Sequence, residues 1–91
     1  MTAIRIIVTG AVQGVGYRDW MCAQAAALGV SGWVRNRADG TVEALVHGDA
    51  GAVQELLRAC RRGPRLAKVT DITEHFAQPP DEPGFVRRPT V

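Results

Sequence analysis

Near the N-terminus Ile4, Ile6 and Val8 alternate with Arg5, Ile7 and Thr9, a period of two that predicts a strand with one face better buried than the other. From Tyr17 the period lengthens. Met21, Ala25 and Leu28 fall on one stripe of a helix over residues 17–28, which Gly29 is placed to end. Residues 30–36 and 41–47 return to strand character and predict a hairpin turned around Asp39-Gly40. In its second strand Val42, Ala44 and Val46 share a face opposite Glu43, Leu45 and His47. Gly48-Asp49 opens a second helix, capped by Asp49 or a neighbour, with Val53, Leu56, Leu57 and Cys60 in phase. Gly63-Pro64 breaks it. A fourth strand is predicted over residues 67–76, where Val69 and Ile72 are out of phase, so a bulge or a late start is expected. The proline-rich stretch 78–84 reads as a loop, and residues 85–87 as a short last strand.

This order, βαββαβ with a short addition, predicts an α+β fold: a ferredoxin-like split βαβ sandwich with two helices on one face of an antiparallel sheet. Ninety-one residues without an internal repeat or linker predict one domain over 1–91. No apolar run approaches the roughly 20 residues of a membrane span. Arg5 interrupts the N-terminal apolar stretch, unlike a secretory signal, so a cytoplasmic location is expected. Cys22 and Cys60 are too few for a disulfide framework and are read as reduced thiols. A phosphatase built on Cys, five residues and Arg is excluded, because those arginine positions hold Leu28 and Leu66. Arg58, Arg61, Arg62, Arg65 and Lys68 gather at the end of the second helix, where cations suit the helix dipole. Without interleaved aromatics for bases to stack on, that cluster argues against a nucleic-acid partner.

The chemistry lies elsewhere. Gly14 and Gly16 sit between the first strand and the first helix, and Arg18 follows at once. Glycines there let the chain turn through left-handed conformations, and the N–H groups of residues 13–18 then meet the positive end of the helix dipole. That is an arrangement for holding an anion. It is not a Walker loop, since the position five after Gly10 is Val15 and the sole lysine is Lys68. Nor is it the dinucleotide fingerprint, whose third glycine is replaced by Asp19, an acid suited to the first turn of the helix. On these residues alone an ordinary strand-to-helix connection with two turn glycines fits equally well.

A second segment changes the balance. Gly32, Trp33, Val34, Arg35 and Asn36, followed by Gly40, Thr41 and Val42, join with Gly10, Val12, Gln13, Gly14, Val15, Tyr17 and Arg18 into two long motifs in order. Together they resemble the acylphosphatase family. The resemblance covers nearly the whole chain and is looser after residue 65. It implies the same sandwich fold and the hydrolysis of acyl phosphates to a carboxylate and inorganic phosphate. It also implies that Gln13, Gly14, Val15, Gly16, Tyr17 and Arg18 bind phosphate, that Asn36 positions the attacking water, and that Thr41 braces Asn36 across the hairpin. Ala11 stands where the family often has a polar or basic residue, and Arg37 at a position where it varies.

The residues themselves fit an undemanding reaction. Neither motif holds a His, Cys or Ser nucleophile, and the chain has no Asp-x-Asp pair. An acyl phosphate already carries a good leaving group, whereas a phosphate monoester needs a far larger acceleration. No metal or other cofactor is expected, no membrane, and a monomer is the expected state. The rival from another class is a non-catalytic phosphate sensor, which has no need of a residue such as Asn36 to place a water. Arg35 is expected on the face opposite Asn36, and Trp20 and Trp33 as packing residues.

Overall fold

The computed structural model describes residues 1–91. In chain order the elements are β1 (Thr2–Ala11), α1 (Tyr17–Leu28), β2 (Ser31–Asn36), β3 (Val42–Gly48), α2 (Ala50–Arg62), β4 (Lys68–Phe76) and β5 (Phe85–Arg87). The strands form one sheet in the order β4-β1-β3-β2-β5. Every pair among the first four strands is antiparallel, as the α+β sandwich requires.

One face of the sheet carries the core. Ile4, Ile6 and Val8 of β1, Val34 of β2, Val42, Ala44 and Val46 of β3 and Ile72 of β4 cluster there with Tyr17, Met21 and Ala25 of α1 and Val53, Leu56, Leu57 and Cys60 of α2. These are the positions that alternation in the strands and the 3.6-residue period in the helices set aside for burial. Burying a Leu or Ile side chain fully is worth about 1.5–3 kcal/mol, so two helices laid on this face hold the sandwich together. Asp49 starts α2 by accepting the Gly51 N–H at 3.1 Å, and Arg61 and Arg62 occupy its last turn. The two cysteines are free, and burial pushes the Cys60 thiol up to about 11.

The other face has no helix and is held by charge. Glu43 is only 6% exposed, and its carboxylate accepts Arg5 Nη1 at 2.9 Å and Arg35 Nε at 2.8 Å. Burial by itself would push this carboxyl up; the two guanidinium hydrogen bonds and charges more than reverse that and hold it below its ordinary range. Trp33 on the same face carries the guanidinium groups of Arg35 and Arg88 over its ring, 4.6 and 5.3 Å from the centre.

The out-of-phase pair in β4 has a simple cause. Thr9 pairs with Asp71 and Gly10 with Val69, so Thr70 is an extra residue and the strand bulges there. Gly10 sits against the bulge with φ 131°, and a Cβ on it would lie 2.1 Å from the Lys68 carbonyl oxygen. Only glycine fits.

β5 is the one strand whose partner the pattern did not foretell: it pairs with β2, and parallel to it. The direction follows from the path of the chain. β4 runs against β1, so the chain leaves it at the end of the sheet where β1 and β2 begin. A strand starting from that end must run with β2. Residues 77–84 reach about 26 Å when extended, enough to cross roughly 19 Å of intervening strands. β1, β2 and β5 therefore run the same way, and their C-terminal ends, at Ala11, Asn36 and Arg87, arrive at the same end of the sheet.

Candidate active site

At that end lies a cavity of about 60 Å³ lined by Val12, Gly14, Gly16, Tyr17, Arg18, Asp19, Asn36 and Arg87. Its floor is the connection between β1 and α1. Gly14 has φ 74° and Gly16 φ 79°, left-handed values that a side chain would strain. Gly16 is also the residue before the first turn of α1, and it offers no side-chain cap. The first N–H to find a carbonyl is that of Trp20, which donates to Gly16 at 3.0 Å. The N–H groups from Gln13 to Asp19 have no acceptor in the protein. A helix start left bare in this way is a ready site for an anion.

Two side chains add to it. Arg18, half-buried in the first turn of α1, makes no ion pair and no hydrogen bond with the chain, although it lines the cavity. Asn36, half-buried at the end of β2, likewise gives its side-chain amide to no protein group. β-sheet alternation explains where it points: Val34 faces the core, so Asn36 shares that face, while Arg35 turns to the other and binds Glu43. Arg58, Arg62, Arg65 and Lys68 are also without partners, but all four are exposed and none lines this cavity. What distinguishes Arg18 and Asn36 is that they line the same hollow as Gly14, Gly16, Tyr17 and Asp19, whose backbone N–H groups are also free; Gln13 and Val15 are not part of that lining.

The remaining motif side chains build the cavity from behind. Tyr17 is 2% exposed, and its hydroxyl donates to the Cys60 carbonyl at 2.7 Å, which fastens the start of α1 to α2. Burial, then the neighbouring Cys60, keeps this phenol from ionising. Val15 packs against the core. Gln13 turns its side chain to the hairpin, where Nε2 donates to the Arg37 carbonyl at 2.7 Å and to the Thr41 carbonyl at 2.9 Å. The glycine loop is thereby tied to the turn that follows Asn36. Thr41 donates its hydroxyl to Asp39 Oδ1 at 2.6 Å, and its N–H meets the same oxygen at 3.0 Å. These two bonds from Thr41 hold the Asp39 carboxyl below its usual range. Its hydroxyl thus secures the hairpin turn, and the expected contact with the Asn36 side chain is not made, because the turn carboxylate lies closer along the chain.

Three lining residues escaped the sequence reading as members of the site: Val12, read there only as a motif position, Asp19 and Arg87. Arg87 comes from β5, in the stretch where the motif resemblance is loose, and it enters because its register opposite Val34 puts it on the helix face. Asp19 was legible as a first-turn acid; its pairing with Arg87, Nη1 to Oδ1 at 2.5 Å, was not. A larger groove of about 300 Å³ between the helices, lined by Gln24, Glu55, Arg58 and Arg62 among others, contains none of the motif residues. Nowhere do three His, Cys, Asp or Glu side chains come together as a metal would need.

The sequence profile described as Acylphosphatase matches residues 4–86. The chain belongs to the acylphosphatase family, a family of acid-anhydride hydrolases. Within it, the acylphosphatase of Acidiphilium cryptum is 69% identical over 90 residues, 99% of each chain. That of Rhodospirillum rubrum is 50% identical over 91 residues, the whole of both chains. Among solved structures, the acylphosphatase of Bacillus subtilis superposes with a TM-score of 0.90 at 38% identity, covering 97% of this chain and 99% of that one. The fold described above is thus shared with a solved acylphosphatase over nearly its whole length.

Proposed function

We propose that this chain, acting as a single domain over residues 1–91, hydrolyses acyl phosphates to a carboxylate and inorganic phosphate. The phosphoryl group sits in the loop. Its oxygens accept the N–H groups of Gln13, Gly14, Val15, Gly16, Tyr17 and Arg18 together with the guanidinium fork of Arg18. Asn36 offers an amide oxygen and an amide N–H, and with them it holds a water aimed at phosphorus. The water attacks in line; its oxygen bonds to phosphorus as the bond from phosphorus to the acyl oxygen breaks. The carboxylate leaves as a stable anion, and both protons of the water end on the phosphate as H2PO4−, which exchanges one with solvent. Because charge spreads over the phosphoryl oxygens in this transfer, positioning and electrostatics supply most of the catalysis. No group in the cavity has to act as a nucleophile, and the reaction asks for no cofactor.

The observation that supports the reading is that one small cavity is lined by Gly14, Gly16, Tyr17 and Asp19, whose N–H groups have no acceptor in the protein, together with Arg18 and Asn36, whose side chains have no partner. A site of about 60 Å³ suits a phosphoryl group better than a larger ligand. A cytoplasmic place of action goes with this reading, and cell fractionation tests it.

The test is hydrolysis of an acyl phosphate beside a phosphate monoester, with a chelator present, by the wild-type chain and Asn36→Ala. The acyl phosphate alone should be turned over. Loss of one positioning group should cut turnover by about a hundredfold while inhibition by phosphate stays nearly the same. Phosphate binding without any turnover would make the chain a sensor, and full turnover by the variant would remove Asn36 from the mechanism.

A further inference from the structure

We infer that Arg87 is a specificity-determining residue, and that it selects acyl phosphates whose acyl part carries a second negative charge. The inference rests on the hydrolysis proposed above and concerns the half of the substrate that the glycine loop does not hold.

Size sets the first condition. A cavity of about 60 Å³ takes the phosphoryl group, so the acyl part must project past its mouth. Asp19 and Arg87 are the most exposed charged residues of the lining, with side chains 71% and 44% exposed, while Arg18 and Asn36 are half-buried, so these two are the charged groups a projecting acyl part can reach from solvent. Whatever leaves as the carboxylate therefore meets Arg87 and Asp19.

Charge sets the second. The lining contains Arg18, Arg87 and Asp19, two cations and one anion, a net charge of +1. Without Arg87 the charges of Arg18 and Asp19 would cancel, and a carboxylate would stand unopposed at the entrance to an anion site. Arg87 answers that carboxylate with a single N–H, from Nη1. A guanidinium has five N–H donors in a rigid fork. Asp19 therefore uses a small part of it and fixes its direction, and the remaining donors stay free at the rim. A second anionic group on the acyl chain, a carboxylate or another phosphate, can accept them without displacing Asp19. A neutral acyl chain finds nothing there to accept.

The backbone holds this arm steadily enough for selection. Arg87 is the last residue of β5, paired with Val34, and beyond it the Arg88 N–H donates to the Val34 carbonyl at 2.9 Å. The chain then continues beside β2, where the Val91 N–H reaches the Asn36 carbonyl at 3.2 Å. The strand that carries Arg87 and the strand that carries Asn36 are thus bonded along their length.

The experiment compares succinyl phosphate with butyryl phosphate, which has the same length and a methyl in place of the distal carboxylate. For the wild-type chain kcat/KM should favour succinyl phosphate by about tenfold, mostly through KM, the size of one charge-assisted hydrogen bond at a partly exposed position. In Arg87→Gln the ratio should fall close to one, and in Arg87→Lys, which keeps the charge, it should stay well above the Gln value. A circular dichroism spectrum like that of the wild type shows that each variant is folded. Equal kcat/KM for the two substrates in the wild-type chain, or a ratio unchanged in Arg87→Gln, overturns the inference while leaving the hydrolysis standing. A wild-type ratio near one overturns the inference even if a variant does not fold, and if Arg87→Gln alone fails to fold, Arg87→Met is measured in its place. Failure of the wild-type chain to hydrolyse either compound overturns the proposed function, and this inference with it.

Discussion

Arg18 stands where an unpaired cation is hard to explain by stability alone. Asp19 is next to it in sequence, but consecutive side chains of a helix do not face each other, and that carboxylate is taken by Arg87 of the edge strand. The Arg18 guanidinium is left for the cavity, beside N–H groups that also lack acceptors. Its removal should then be felt by any bound phosphate. In Arg18→Ala we expect the inhibition constant of inorganic phosphate to rise by about ten- to a hundredfold, as for loss of hydrogen bonds to a charged group, together with slower turnover. An inhibition constant equal to that of the wild type would mean that the anion binds somewhere else. Asn36 and Arg18 were readable as residues in two motifs. That their side chains would both be free of protein partners was not, since a motif names residues without saying what they touch.

At the scale of elements, the site depends on two pieces of chain being held in register: the loop after β1 and the hairpin between β2 and β3. Gln13 holds them. Its Nε2 spans the carbonyls of Arg37 and Thr41, which are themselves joined across the turn by the Arg37 N–H to the Thr41 carbonyl at 2.9 Å. In the mechanism proposed above Gln13 is therefore a positioning residue as well as a member of the loop. Gln13→Ala should lower kcat by about tenfold with a smaller change in the inhibition constant of phosphate, because small misplacements of reacting groups are costly. Gln13→Glu, which has the same shape and no donor, should behave like the alanine variant. If it instead retains wild-type kcat, the two hydrogen bonds do not set the geometry. Thr41 contributes from the other side of the turn by locking Asp39, so the hairpin is fixed at both of its ends.

For the molecule as a whole, the two faces of the sheet are stabilised by different forces. The core between the helices and the sheet is apolar. The open face depends on Glu43, whose carboxyl is held below its ordinary range by Arg35 and Arg5. A carboxyl lowered in the folded state contributes stability that is present above its unfolded value of about 4.3 and lost as pH falls through its folded value. The melting temperature should therefore be flat from neutral pH to about 5.5 and drop steeply below about 4.5. Glu43→Gln should be less stable at pH 7 by about 1–3 kcal/mol, less than for a fully buried pair because both arginines are partly exposed, and should lose less on acidification. For a chain of this size that is roughly 5–15 °C in melting temperature. Thermal melts of both proteins at neutral and acid pH check it; parallel pH profiles would mean that Glu43 is not the group being titrated.

Local chemistry determined much of this protein unaided. Alternation placed Ile4, Ile6, Val8, Val42, Ala44 and Val46 on the buried face, helical spacing did the same for Val53, Leu56, Leu57 and Cys60, and the phase break at Val69 and Ile72 announced the bulge at Thr70. These are short-range consequences of backbone geometry, so a sequence carries them openly. Tertiary structure alone decided which distant residues met. β5 runs parallel to β2 because the chain emerged from β4 at the end where β2 begins, and its pairing with β2 brought Arg87 to Asp19 and to the cavity. Glu43 became a buried charge only when β1 and β2 closed on either side of β3 and supplied Arg5 and Arg35. Pairings of this kind depend on chain direction and strand order, which no periodicity encodes.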